Sequence, residues 1–248
     1  MSYVTAIVLA AGSGLRFKSK TPKPLVKINS QPIIIYCLAT LSKHSDISDI
    51  IVVVNAGSAR DIVNKIRQYR IAKVSRIVEG GLRRQDSLGN GLKAMDRRTE
   101  LVLIHDGARP FIDRETVSSV IKEASHSGAA IVGVPVKPTI KRVTRSLPRF
   151  RSGLLSVARH QVTSNVLVKE TLDRRYLWEI QTPQVFKKDL ILEAYSKFGK
   201  TEVTDDASLV EKLGKRVKIV RGCYSNIKIT TPEDLIIAEA ILNNGLRG

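Results

Sequence analysis

Apolar residues fall in short unbroken runs along this chain, each closed by a polar or glycine-bearing stretch. Ala6 to Ala11 is the first run. It carries no polar residue and is too short for a helix, so it predicts a strand buried on both faces. Asp49 to Asn55, Val74 to Val78, Glu100 to Ile104 and Gly128 to Val136 repeat the pattern. Helical stretches separate them. Gln31-Pro32 opens one to about Ser42, one follows Gly57 to about Arg70, one follows Ser87 to about Met95, and Asp113 caps one to about Ser125. Farther on, Trp178 to Phe186 predicts a strand and Lys188 to Phe198 a helix, with Val203 to Ser208 capping another. Arg216 to Val220 predicts a strand and Asn226 to Thr230 a short extended piece. Thr231-Pro232-Glu233-Asp234 starts the last helix, with an N-cap, a first-turn proline and acidic residues at the positive dipole end.

Strand, loop and helix in alternation, with near-continuous apolar strands, argue for an α/β fold with a largely parallel sheet covered on both faces. Ligands bind such sheets beyond the carboxyl ends of the strands. Three polar, glycine-containing loops, beginning at Ala10, Glu79 and His105, each follow a strand directly. Parallel pairing would bring all three to one edge.

The alternation breaks from Lys137 to Asp173. Two β-prone pieces, TIKRVT and SNVLVKETL, flank a basic irregular middle, RSLPRFRSGLLSVARHQ. This reads as a β-arm, residues 137–173, inserted into a single domain made of 1–136 and 174–248. Its exposed strands would invite pairing with a second subunit. For Ser146 to Gln161 the competing reading is a disordered surface insertion.

Composition narrows the class. A chain of 248 residues with 43% hydrophobic and 26% charged content is ordinary for a globular domain. No apolar stretch approaches the ~20 residues that span a bilayer. The first strand begins almost at Met1, which leaves no room for a signal peptide. Cys37 and Cys223 are isolated, which favours a reducing compartment and excludes a thiolate metal cluster. The expected location is the cytoplasm. The net charge of +18 fits an anionic ligand or nucleic acid, and part of it is local, with eight Lys/Arg and no Asp/Glu between Lys137 and Lys169.

The candidate chemistry starts at the first loop. Gly12-Ser13-Gly14 is followed by Arg16, Lys18, Lys20 and Lys23, a combination suited to a polyphosphate: small residues let backbone N–H groups approach an anion, and the cations neutralise it. Phe17 stands where the third glycine of a dinucleotide fingerprint belongs, and there is no P-loop. His105-Asp106 is either a metal or acid/base pair, or a structural one. The four histidines have no zinc-ligand spacing, and no G-x-S-x-G elbow occurs. Asp205-Asp206 reads as a helix N-terminus. The few aromatics make no base-stacking platform.

Taken together, LAAGSGLRF with TPK, GGLRRQDS, HDGARP, PVKPTIK, TLDRRYLW, QTPQVF, TDDAS and NIKIT with TPEDL resemble the 2-C-methyl-D-erythritol 4-phosphate cytidylyltransferases of the non-mevalonate isoprenoid route. The sequence departs from that pattern at Pro24, where the family usually has Gln, and in a longer Thr139-to-Arg174 segment. The resemblance implies a Rossmann-like, mixed but mostly parallel sheet, a β-arm that interlocks a homodimer, and transfer of CMP from CTP with release of pyrophosphate. It implies Arg16 and Lys23 as transition-state stabilisers, with Mg²⁺ held mainly by the CTP phosphates. Ala10, Ala11, Gly81 and Ser87 would hold the cytosine, Gly12, Ser13 and Gly14 the phosphates, and Asp106 the ribose or the metal. Thr139, Arg174 and Lys228 would grip the methylerythritol phosphate, with Arg109, Thr182 and Thr204 around it. The alternatives are a cytidylyltransferase for another polyol phosphate, such as ribitol 5-phosphate, and, from a different class, a basic nucleic-acid-binding protein.

Overall fold

Seven of the apolar runs pair into one sheet. A computed structural model describes residues 2–12, 17, 21–145 and 166–245, so Ser13, Gly14, Arg16, Lys18, Lys20 and the basic stretch 146–161 lie outside the described residues. In chain order the elements are β1 (Val4–Ala10), β2 (Lys27–Ile28), β3 (Gln31–Pro32), α1 (Ile33–Ser42), β4 (Asp49–Val54), α2 (Ala59–Gln68), β5 (Val74–Glu79), α3 (Arg84–Lys93), β6 (Leu101–Asp106), α4 (Arg114–Ser127) and β7 (Ala129–Pro135). Then come β8 (Lys141–Arg145), β9 (Val166–Thr171), β10 (Trp178–Lys187), α5 (Lys188–Phe198), α6 (Ala207–Lys212), β11 (Lys218–Arg221) and α7 (Glu233–Asn243). The sheet order is β11-β7-β10-β6-β1-β4-β5. β1 runs parallel to β4 and β6, β4 to β5, and β7 to β11, while β10 is antiparallel to β6. This is the mixed, mostly parallel sheet expected of the sequence.

Alternation along β1 splits the core in two. Val4, Ala6 and Val8 join one cluster with Ile34, Leu38 and Leu41 of α1, Ile62 of α2 and Val117 and Val120 of α4. Ile7 joins the opposite cluster with Leu88 and Leu92 of α3, Ile191 of α5 and Leu209 and Val210 of α6. A third cluster gathers Phe17, Ile28, Ile33, Phe111, Ile229 and, from α7, Ala238 and Ile241. Phe17 is 6% exposed there, and burying an aromatic side chain of this size contributes about 1.5–3 kcal/mol, enough to pin the chain soon after the first loop.

Register is what builds the site edge. Leu9 stands beside Asp106, Ala10 beside Val54 and Val54 beside Glu79. The carboxyl ends of β1, β5 and β6 are therefore level, and their loops leave the sheet together.

Several local expectations need correcting. Gln31-Pro32 is the second strand of a tight hairpin rather than a helix start, because Asn29 takes a left-handed φ of 53° and turns the chain so that Lys27 pairs with Pro32. α1 begins at Ile33. His105 and Asp106 lie inside β6 rather than after it, held by pairing with Val8 and Leu9. Pro232 occupies the N-cap of α7 with no side-chain cap bond, and Asp234 Oδ2 instead accepts from the backbone N–H groups of Thr230 (2.6 Å) and Thr231 (2.8 Å) just before the helix. The last sheet strand is Lys218–Arg221, and residues 226–230 form no strand; Ile229 N–H instead donates to Ala108 O at 2.9 Å.

The chain divides into two units, Met1–Val134 with Ile180–Gly248, and Pro135–Glu179. The second holds an antiparallel hairpin of β8 and β9, with Arg142 and Glu170 paired across it at 2.7 Å. Every residue of β9 is exposed. Arg174 starts a short 3-10 turn and donates from Nη1 to Lys137 O at 2.6 Å.

Cys37 is fully buried in α1, and burial pushes its thiol up to about 12. In native protein a disulfide reagent at pH 8 should titrate the partly exposed Cys223 alone, with Cys37 reacting only after denaturant is added. Two fast thiols in the native state would contradict this packing.

Candidate active site

The level strand ends open into two cavities that share a wall. One, about 620 Å³, is lined by Ala10, Ala11 and Gly12 after β1, Lys23 and Pro24 beyond it, and Gly81 and Ser87 around the start of α3. The other, about 490 Å³, is lined by Arg109, Gln181, Thr182, Thr204 and Asp205 among others. Arg84, Asp106 and Lys228 line both.

The first cavity is shaped by the turn into α3. A Cβ on Gly80 would strike Ala11 Cβ and Ser87 Oγ, and one on Gly81 would strike Asp86 Cβ, so both glycines are required by close approach. Gly81 N–H donates to Ser87 Oγ at 3.1 Å, and Asp86 reaches back to accept from Arg83 N–H at 3.1 Å. Lys23 begins a one-turn 3-10 helix anchored by the buried Pro24.

Asp106 organises the shared wall. Its Oδ2 lies 2.7 Å from Lys228 Nζ and 3.9 Å from Arg109 Nε, and its Oδ1 lies 3.7 Å from Arg84 Nε. Burial works against the Asp106 charge. Lys228, Arg84 and Arg109 outweigh it and hold the carboxyl down at about 2. One carboxylate faces three cations, which leaves the wall electropositive and suited to phosphate.

A chain of hydrogen bonds fixes Asp106 from behind. Its N–H donates to Thr182 Oγ1 at 3.0 Å. His105, fully buried, makes contact through Nε2 with Arg109 O (3.0 Å) and through Nδ1 with Thr182 Oγ1 (3.1 Å). A carbonyl only accepts, so Nε2 carries the proton, and the Thr182 hydroxyl donates to Nδ1. Burial pushes His105 down to about 4, so the ring is neutral. Arg109 Nη1 donates to Asn226 O at 2.8 Å. His105 is thus structural, and the hydroxyl proton of Thr182 is committed inside the wall.

The sequence-predicted residues fall into four places. Ala10, Ala11, Gly12, Lys23, Gly81 and Ser87 line the first cavity, Asp106 and Lys228 the shared wall, and Arg109, Thr182 and Thr204 the second cavity. Thr139 and Arg174 belong to the second unit, and Ser13, Gly14 and Arg16 lie outside the described residues. Arg84 and Asp206 were missed. A signal existed: arginines at Arg83 and Arg84 open a helix, where the dipole disfavours cations, so each needs an anion close by. Those anions are Asp86 (2.7 Å) and Asp206 (2.8 Å). Among the described residues no three His, Cys, Asp or Glu side chains gather as a metal cage, and Asp106 is the carboxylate on the shared wall.

A family model, IspD: 2-C-methyl-D-erythritol 4-phosphate cytidylyltransferase, matches residues 4–152 and 153–244. The chain belongs to this family. It is 43% identical over 245 residues to the 2-C-methyl-D-erythritol 4-phosphate cytidylyltransferase of Alkaliphilus metalliredigens (strain QYMF), covering 98% of this chain and 94% of that one. It is also 43% identical to the same-named protein of Syntrophus aciditrophicus (strain SB), covering 96% and 95%. Among solved structures it resembles the 4-diphosphocytidyl-2C-methyl-D-erythritol synthase of Anaerococcus prevotii DSM 20548, with a TM-score of 0.80, 34% identity, and 98% and 96% of the two chains covered. The cytidylyltransferase of Thermus thermophilus gives a TM-score of 0.73 at 28% identity, covering 97% and 99%.

In this cytidylyltransferase family member the neutral His105 has a consequence for stability. The unfolded histidine takes a proton near 6.5, whereas the folded one resists until about 4. The unfolded state therefore binds more protons across that window, and stability falls as pH drops from 6.5 to 4, by roughly 3 kcal/mol for this group. Denaturant unfolding of wild type and His105→Gln across pH 4–7 should show a shallower slope in the variant; identical slopes would refute the assignment.

Proposed function

We propose that the protein transfers CMP from CTP to 2-C-methyl-D-erythritol 4-phosphate, giving 4-diphosphocytidyl-2-C-methyl-D-erythritol and pyrophosphate. The observation that carries this reading is the wall of Arg84, Asp106 and Lys228 common to a nucleotide-sized cavity and a second one. A phosphate oxygen of the polyol attacks the α-phosphorus, the bond from that phosphorus to the bridging oxygen breaks, and pyrophosphate leaves with its electron pair. The monoester has a second pKa near ~6, so it is largely dianionic and needs no base. What remains is to align the two and to neutralise charge.

In this reading Lys23 and Arg16 meet the charge that builds on the transferring phosphate. Gly12, Ser13 and Gly14 offer backbone to the triphosphate. Ala10, Ala11, Gly81 and Ser87 receive the cytosine, and its exocyclic amine is matched by backbone acceptors. Lys228 holds the substrate phosphate, and Arg109, Thr182 and Thr204 bound the polyol side. A divalent metal, Mg²⁺, would be held mainly by the triphosphate oxygens, because Asp106, the carboxylate on the shared wall, already faces Lys228, Arg84 and Arg109. It supplies charge neutralisation on the triphosphate.

The deciding experiment supplies CTP, Mg²⁺ and each polyol phosphate in turn, then measures pyrophosphate and product mass. Turnover with methylerythritol phosphate is expected, and turnover with ribitol 5-phosphate alone would sink the reading. Lys23→Met should lower kcat by ~10²–10³ with an unchanged circular dichroism spectrum, the scale seen when one preorganised donor is lost.

We also infer a homodimer formed through the arm. Its exposed strand carries Val166, Leu167 and Val168, at 42%, 66% and 61% exposure, beside basic residues that keep the free edge soluble. Val166→Glu with Val168→Glu should convert a dimer to a monomer by light scattering; a wild-type monomer would refute the inference. The cytoplasm is the proposed location, and among the described residues no helix is long and apolar enough to cross a membrane.

A further inference from the structure

Three consecutive side chains at the start of α3 reach across to one segment on the far cavity. Arg83 Nη1 donates to Lys200 O at 3.5 Å, and Gln85 Nε2 donates to Thr201 O. Between them, Arg84 Nη2 lies 2.8 Å from Asp206 Oδ2. Asp206 is fully buried, and its other oxygen accepts from Tyr195 O–H at 2.9 Å. Burial first, and then the Asp206 charge, push the Tyr195 hydroxyl up, so it stays a donor at any working pH. The segment so tied includes Thr204 and Asp205, which line the second cavity and not the first. Arg84 also turns its Nε toward Asp106 Oδ1 at 3.7 Å, on the opposite side of that carboxylate from Lys228.

We propose that Arg84, locked by Asp206 and Tyr195, is a positioning residue that sets Asp106, and through it Lys228, for the second substrate. Resting on the reaction assigned above, it deepens that reading by naming how the shared wall is held. The guanidinium can face two carboxylates at once because its nitrogens are spread over one plane, close to Asp206 at 2.8 Å and more loosely to Asp106 at 3.7 Å. A lysine here would keep the charge yet reach one carboxylate at a time. With Arg84 released, the Asp106 carboxylate would be steadied by Lys228 and Arg109 alone, and Lys228 would shift with it. The turn at the far side of the first cavity is held independently of this link, because Ser87 and the Asp86 cap hold Gly81 and Arg83. The change therefore falls on the shared wall and more heavily on the second cavity, which the tied segment also lines.

The test is steady-state pyrophosphate release from full-length wild type, Arg84→Lys, Asp206→Asn, their double variant and Tyr195→Phe. CTP and methylerythritol phosphate are varied in turn, with thermal denaturation to check folding. Arg84→Lys and Asp206→Asn should each raise KM for the polyol phosphate about tenfold and lower kcat about tenfold, with a clearly smaller rise in KM for CTP, whose cavity shares the wall but not the Thr204–Asp205 segment. The double variant should be no worse than the poorer single one, because both break the same link. Tyr195→Phe should move the same constants about threefold. Should Asp206→Asn fail to fold, Arg84→Lys and Tyr195→Phe decide. A folded Arg84→Lys with wild-type constants, or one that loses both KM values equally, overturns the positioning role. A wild type inactive on this substrate pair fails before any variant is compared and takes the reaction assignment down with the proposal.

Discussion

A carboxylate taken out of water costs several kcal/mol unless its charge is met, and Asp106 is met three times over. Lys228, Arg84 and Arg109 converge on it from α7's approach, from the start of α3 and from its own loop. Two of the three are also tied elsewhere: Arg84 to Asp206, and Arg109 to the Asn226 carbonyl. Removing Asp106 would leave three like charges at close quarters with nothing between them. The wall therefore exists as a unit, and the two cavities keep their relation because they share it.

That unit depends in turn on sheet register. Asp106 sits at the end of β6 because Leu9 stands beside it on β1, and the residues after Leu9 line the first cavity. A slip of one residue would turn Asp106 to the opposite face and bring His105 toward the cavity. The buried alternation of β1, with Val8 in one core cluster and Ile7 in the other, forbids that slip. Core packing and site chemistry are here set by the same few residues.

Much of this was legible in the chain. Apolar runs marked the strands, and the three loops that follow β1, β5 and β6 pointed to one edge before any pairing was known. Lys188–Phe198 was bounded correctly because its first residue follows a run of strand formers and Gly199 ends it. Less legible was whatever depends on partners distant in sequence. Trp178–Lys187 reads like any other strand, and nothing local says that it enters antiparallel next to β6. Gln31-Pro32 imitates a helix start until the left-handed Asn29 is known. Arg84 and Asp206 meet only in the fold, although two arginines opening a helix already required anions nearby.

The state of the groups at the strand end bears on how the reaction runs. A sequence reader meeting His105-Asp106 beside a phosphate site looks for a general acid or base. Asp106 is held near 2 by cations, and a carboxylate that ionised is a poor proton acceptor at neutral pH. His105 is held near 4, buried, with one nitrogen donating to a carbonyl and the other accepting from Thr182. Neither group is built to move a proton. Both are built to keep a charge arrangement still. That suits a transfer in which the attacking oxygen arrives already ionised, and in which the protein's part is to hold anions together against their repulsion until the bond has formed.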